Sequence, residues 1–461
     1  MEDLMAKIVN LAREKFSVKY VEVRVQKLFK TMLTVKEERV EATKEGIENG
    51  VAIRVLVNGA WGFASIGTLR TEPVIEALLD ACKMARTASS SVKNPIELAK
   101  HKAFEDKVVA KTRKNPVQIP IEEKISTTTE IARTIMMFDR RVKGSTIDYL
   151  DSVGTTYFMN SEGSYIEQDR IYVWTRVTAT AREGDILAFS REEVGSTAGY
   201  EIFDSETPDL IGERTAKRAI DQLRAKPPKG GKFKAVLGPN VLGVFVHEAF
   251  GHLAEADLTL SGSIIMDKIG KKIASDQVTI YDDGTIEGAF GSFKYDDEGV
   301  PAQKTLLIKN GVIVGLMHNR ETASKFKVKP TGNARAEDYR VEPIIRMRNT
   351  YMAPRDHTLE ELLEDVHFGY YFKSFRGGQA NLDGTFQVGI QEAYEIVNGE
   401  IGEPVRNASI SGNTLGTLRK VDAVGKDFEL WPGRCGKGQT AFVCDGGPHI
   451  RVKEVIVGGS A

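Results

Sequence analysis

At 461 residues the chain has room for two or three domains, each with a sizeable core. Its 63 Lys and Arg nearly cancel 64 Asp and Glu, and no dense basic run marks a nucleic-acid surface. The start Met1-Glu2-Asp3-Leu4 lacks an apolar signal core, and no stretch reaches the ~18 apolar residues of a membrane span, so the expectation is a cytoplasmic protein without a membrane or nucleic-acid partner.

Leu4, Ile8 and Leu11 share one side of a helix over 3–16. Val21, Val23 and Val25 then alternate with polar residues as a half-buried strand. Val51, Ile53, Val55 and Val57 repeat the alternation and run into Asn58-Gly59, a hairpin turn signal. Helical patterns follow near 71–87 and 121–141, the first with Cys82 on its apolar stripe. Three cysteines are too few and too scattered for a disulfide framework. His101 stands alone in a charged stretch, which predicts a solvated side chain. From 144 to 203 the chain is strand-rich, and a helix near 207–225 precedes Lys226-Pro227-Pro228-Lys229-Gly230-Gly231-Lys232. That proline and glycine cluster is the expected boundary between an N-terminal domain, 1–225, and a C-terminal one, 232–461. The predicted fold class is α+β.

After the boundary, 233–237 reads as a strand, Gly238-Pro239-Asn240 as a turn with Asn240 capping a helix, and 241–256 as that helix. It carries His247-Glu248-Ala249-Phe250-Gly251-His252 among apolar neighbours. Two imidazoles with a carboxylate beside one of them are parts of a hydrolytic zinc site: the histidines bind the ion, and Glu248 can take a proton from water. Histidines five apart stand roughly 140° apart on a regular helix, so joint ligation needs a bulge or bend, which Gly251 would tolerate. An isolated pattern of this kind equally fits two satisfied core histidines and a solvated glutamate.

A catalytic zinc site usually takes a third protein ligand. Glu255 and Asp257 could serve locally. Cys435 is the more specific candidate, with flanking glycines that allow close backbone approach and with Arg434 and Lys437 to favour a thiolate. His449 follows Cys444 near the end of the chain and is either a ligand or a loop residue, while His318, His357 and His367 have no companion pattern.

The run HEAFGH at 247–252, continued by LAEAD, with PGRCGKGQ at 432–439 and GGPHIRV at 446–452, resembles the TldD side of the TldD/PmbA family. Gly50-Val51-Ala52-Ile53-Arg54-Val55 and Gly59-Ala60-Trp61-Gly62-Phe63-Ala64 resemble that family's first domain, so the likeness spans nearly the whole chain. It implies a zinc-dependent metallopeptidase with an α+β N-terminal domain and a strand-rich catalytic domain. It also implies that His247, His252 and Cys435 hold zinc and that Glu248 is the motif's glutamate. The implied substrates are unfolded peptides or peptide precursors. The implied assembly is a homodimer or a heterodimer with a PmbA-like (TldE) subunit. A zinc hydrolase of a non-peptide amide and a regulatory subunit are the alternatives.

Overall fold

In a computed structural model, which describes residues 1–16 and 18–459, helices lie against three main β-sheets. Strand makes up 43% of the chain and helix 25%, in an α+β arrangement. The first sheet is built from β1 (Tyr20–Lys36), β2 (Arg39–Val57), β3 (Ala60–Ile66), β4 (Glu105–Val108), β5 (Val142–Asn160), β6 (Tyr165–Glu183) and β7 (Ile186–Ser196). Its order is β3-β2-β1-β5-β6, with both β4 and β7 on the outer side of β6.

The alternating valines act as expected. Val21, Val23 and Val25 point inward onto α1 (Glu2–Phe16) and α2 (Thr71–Ser89), where Cys82 is buried in the same core. Further along the same face, Leu33 and Val35 pack under α3 (Ile121–Phe138). After the short α4 (Ile202–Ser205), α5 (Pro208–Arg224) joins that cluster. Pro208 opens α5, and the Thr207 hydroxyl accepts the N–H of Leu210. Asn58 and Gly59 both take positive φ, the conformation their hairpin turn requires. His101 departs from expectation: it is half-buried, neither ring nitrogen has a hydrogen-bond partner among the described residues, and burial lowers its pKa.

The second half opens with β8 (Gly231–Leu237) and α6 (Pro239–Val246). One sheet follows the order β11 (Val312–Ile313), β10 (Lys304–Lys309), β9 (Ile280–Asp283), β14 (Asn349–Met352), β21 (Thr440–Gly447), β20 (Glu429–Gly436); β12 (Ala334–Arg335) and β13 (Ile344–Ile345) pair separately. The other contains β15 (Phe368–Ala380), β16 (Thr385–Val397), β17 (Glu400–Val405), β18 (Ala408–Asn413), β19 (Val421–Val424) and β22 (Ile450–Gly459). Because β15 pairs with both β8 and β16, the strands β15, β8, β22, β18 and β16 form a ring. Helix α6 lies between this ring and strands β14 and β21, and all eight of its residues are buried.

Two expectations about this segment fail. The cap position is Gly238, because Pro239, which lacks an N–H, suits the first helical position. Asn240 lies one residue inside, where its Oδ1 accepts from Phe375 N and Ser374 Oγ and ties the helix to β15. Nor does one regular helix run over 241–256. It is α-helical to Val246, a π-turn over His247–Gly251, 3₁₀ over His252–Ala254, and then α7 (Ala256–Leu260). Buried charges join the two halves: Arg54 reaches Glu22 at 2.8 Å and Glu298 at 2.6 Å, and Arg218 reaches Glu192 at 2.6 Å and Glu392 at 3.0 Å.

Candidate active site

The π-turn answers the problem of histidines five apart. The His252 N–H bonds to the His247 carbonyl, an i to i+5 step that brings the second ring beneath the first. The ring centroids lie 5.2 Å apart. Gly251 is needed for a different reason than expected. Its φ of −56° is ordinary helical backbone. A Cβ there would instead run into the Met347 sulfur, so glycine lets that side chain pack directly against the turn. Gly243, one turn before His247, likewise lets α6 approach the backbone of β21, where a Cβ would stand 2.5 Å from Gly446 N.

Across the cleft, β20 delivers Cys435. His252 Nε2 is 3.3 Å from its Sγ, and one donor atom from each of His247, His252 and Cys435 lies within 4.8 Å of the others. Against the opposing effect of burial, the two histidines hold the Cys435 thiol down to about 4. Burial likewise works to lower the imidazoles, but the thiolate raises His247 to about 8, and with Glu255 it raises His252 to about 10. These shifts favour a thiolate at Cys435 and protonated imidazoles beside it.

Glu255, expected as an alternative ligand, does something else. Fully buried, it accepts from His252 Nδ1 at 2.9 Å and so turns Nε2 toward Cys435. Lys437 does not favour the thiolate directly either; its ammonium binds Glu255 at 3.1 Å, Asp257 at 2.8 Å and the Ile345 carbonyl. Arg434 stacks over Trp174. Of the flanking glycines, Gly433 and Gly436 face open space, and Gly438, at φ 69°, makes the turn of the hairpin. Glu248 is partly exposed, with Oε2 3.9 Å from His252 Nε2.

The remaining candidates lie elsewhere. Cys444 accepts the Phe290 N–H, and burial pushes its thiol up to about 12. His449 is held between Asp427 and Tyr371. His318 bonds Thr322, and burial lowers it to about 4. His357 and His367 bond the Val424 carbonyl and Asn398.

The triad and Glu248 open onto a cleft of about 280 Å³, walled by β7 of the first sheet, by Ser374–Gly378 of β15 and by Trp431–Cys435 of β20. Among the described residues, His247 Nδ1, Asp445 Oδ1 and Trp431 Nε1, buried in its lining, have no hydrogen-bond partner. Burial raises Asp445 to about 7, with His247 pulling the other way. Asp445 and Trp431 carry no local sequence signal; β-pairing places them opposite each other, and both line the cleft with Cys435. Two imidazole nitrogens and a thiolate are a borderline-soft donor set suited to zinc, and the partnerless His247 nitrogen fits a site made to hold something more. No helix among the described residues is long and apolar enough to cross a membrane.

Comparison with known proteins matches this chain to three family models: PmbA/TldA metallopeptidase domain 1 at 21–89, the central domain at 114–223 and the C-terminal domain at 230–459. A metalloprotease of Methanothermobacter thermautotrophicus is 41% identical over 446 residues, covering 96% of both chains. A zinc metalloprotease TldD homolog of Saccharolobus solfataricus is 36% identical, over 97% of this chain and 98% of that one. Among solved structures, a protein of Thermotoga maritima described as a modulator of a DNA gyrase superposes with TM-score 0.81 at 23% identity, over 99% of this chain and all of that one. TldE of Thermococcus kodakarensis gives 0.77 at 20% identity with the same coverage, and at these identities the likeness is one of fold. On its sequence matches, the chain belongs to the TldD/PmbA family of metallopeptidases.

Proposed function

We propose that the protein is a TldD-type zinc peptidase acting on unfolded peptides or peptide precursors. The observation that carries this reading is the convergence of His247, His252 and Cys435 from a π-turn and a distant strand, with Glu248 beside them. His247 and His252 through ring nitrogens, and Cys435 through Sγ, would hold zinc. Bound there, zinc supplies a Lewis acid that polarises a carbonyl and acidifies water. Glu248 accepts a proton on its carboxylate and returns it to the departing amine. Glu255 fixes the His252 ring, and Trp431 Nε1 offers a donor to a peptide carbonyl.

The cleft suits an extended chain. Strand β20, which carries Cys435, is the outer strand of its sheet, so its free edge can add a peptide as a further strand. Pairing of β15 with β8 ends at Phe372, beyond which Ser374–Gly378, paired on one side with β16 and tied to Asn240 through Phe375 N, lines the same cleft. In this reading residues 1–225 form a unit that walls the cleft, and 232–461 a unit that supplies the zinc ligands. The working form is a dimer with a second copy or a TldE-like chain, an idea supported by the fold shared with TldE. The test is Glu248→Gln. Zinc content and peptide binding are expected to stay near normal while turnover falls ~10²–10⁴-fold. Retained activity would remove Glu248 from the chemistry.

A further inference from the structure

A second cavity, of about 200 Å³, lies between the first sheet and the β20–β21 hairpin, and Arg434 lines both it and the cleft. Arg24, Arg170, Arg335 and Arg346 line it too. Of these five, only Arg170 has a carboxylate within reach among the described residues, Asp297 at 4.0 Å. Arg24 donates to the Val341 carbonyl, Arg335 to that of Met347, and Arg346 to those of Cys435 and Gln439. Arg335 is 8% exposed and Arg346 1%, and Arg346 Nε has no hydrogen-bond partner among the described residues.

Of the cavity's acids, Asp297 faces Arg170 and also accepts the Ala336 N–H, and the other three are engaged elsewhere. Asp296 accepts the N–H groups of Glu298, Val300 and Ala334, Asp338 pairs with Arg340, and Glu337 accepts from Thr440 N. Guanidiniums buried without counter-charge are costly, and an entering anion relieves that cost. Burial, with Arg346 and Arg170 adding to it and Tyr172 and Asp297 opposing it, lowers Arg335 to about 10. Phe293, stacked under both Arg170 and Arg335, gives the site an apolar floor. Planar guanidiniums over an aromatic ring fit a carboxylate on a hydrocarbon stem.

We propose that this cavity is a carboxylate subsite, filled by the C-terminal carboxylate or an acidic side chain of a peptide lying in the adjoining cleft. The proposal rests on the peptidase reading for its ligand but not on turnover. It can therefore be tested by calorimetry on full-length, zinc-loaded Glu248→Gln protein. The probes are an apolar hexapeptide with a free C-terminus, its C-terminal amide, and that amide with one internal Asp. At least one carboxylate peptide should bind ~10-fold or more tightly than the plain amide, in keeping with a charge-assisted pair, and the one that does identifies the source. Adding Arg335→Gln should erase the difference, and Arg24→Gln, at a half-buried position, should reduce it. If the Arg335 variant does not fold, Arg24→Gln decides. Equal binding of all three peptides, or a preference untouched by the variants that fold, would overturn the subsite. A carboxylate preference in a protein whose wild type cleaves no peptide would overturn the peptidase reading and leave the subsite standing.

Discussion

Glu255→Gln tests how the site is positioned. The carboxylate is completely buried, and its Oε2 is the sole partner of His252 Nδ1 among the described residues, at 2.9 Å. Glutamine keeps the volume but removes the charge that stabilises His252 in the orientation pointing Nε2 at Cys435. Lys437 keeps Asp257, so the fold should survive. Loss of such a partner weakens zinc binding by about 10–100-fold, or about 1.4–2.7 kcal/mol. Competition against a chromophoric chelator at fixed pH measures this directly, and His252→Ala sets the scale for losing a ligand outright. Unchanged affinity would show that Glu255 does not orient the ring. A loss as complete as that of His252→Ala would make Glu255 a ligand and put Cys435 in question.

Cys435→Ser should lose most of the bound zinc, because a hydroxyl replaces a thiolate, whereas Cys444→Ser should keep it; elemental analysis of both variants reads the difference. Zinc uptake at pH 7 should release about two protons, from His247 and His252, because both are protonated at that pH and Cys435 is already a thiolate. Apparent affinity therefore rises with pH, steeply below about 8, where His247 titrates, and less steeply from there to about 10. Calorimetry in buffers of different ionisation enthalpy counts the protons, and a value near one would mean an ordinary thiol and neutral imidazoles. Gly243→Ala should cost about 1–3 kcal/mol by forcing α6 off β21, and denaturant unfolding measures it; wild-type stability would contradict the close approach.

The half-buried strand stretches and the helices of the first half were legible because one-sided burial leaves a period in the sequence, as in Val21, Val23 and Val25 on the face that meets α1 and α2, whereas the run of β1 on to Lys36 and of β2 back to Arg39, exposed over 39–47, leaves none. The helix carrying His247 was legible for its apolar content, but its true cap and its break into π and 3₁₀ turns were not. Those follow from packing between two sheets, which no local pattern records. A bulge between the histidines was deducible from their spacing alone, whereas the packing of Gly251 against Met347, 96 residues away, was not. Trp431 and Asp445 escaped notice because pairing of β20 with β21 brings them to the cleft. The arginine cavity depends on residues from Arg24 to Arg434 that have no common motif.

The most direct test of the central claim is zinc K-edge X-ray absorption on the purified, active protein. It should show one zinc per chain with two imidazole nitrogens at ~2.0–2.1 Å and one sulfur at ~2.3 Å, the sulfur disappearing in Cys435→Ser. A fully active preparation with no zinc, or with zinc but no sulfur scatterer, would contradict it.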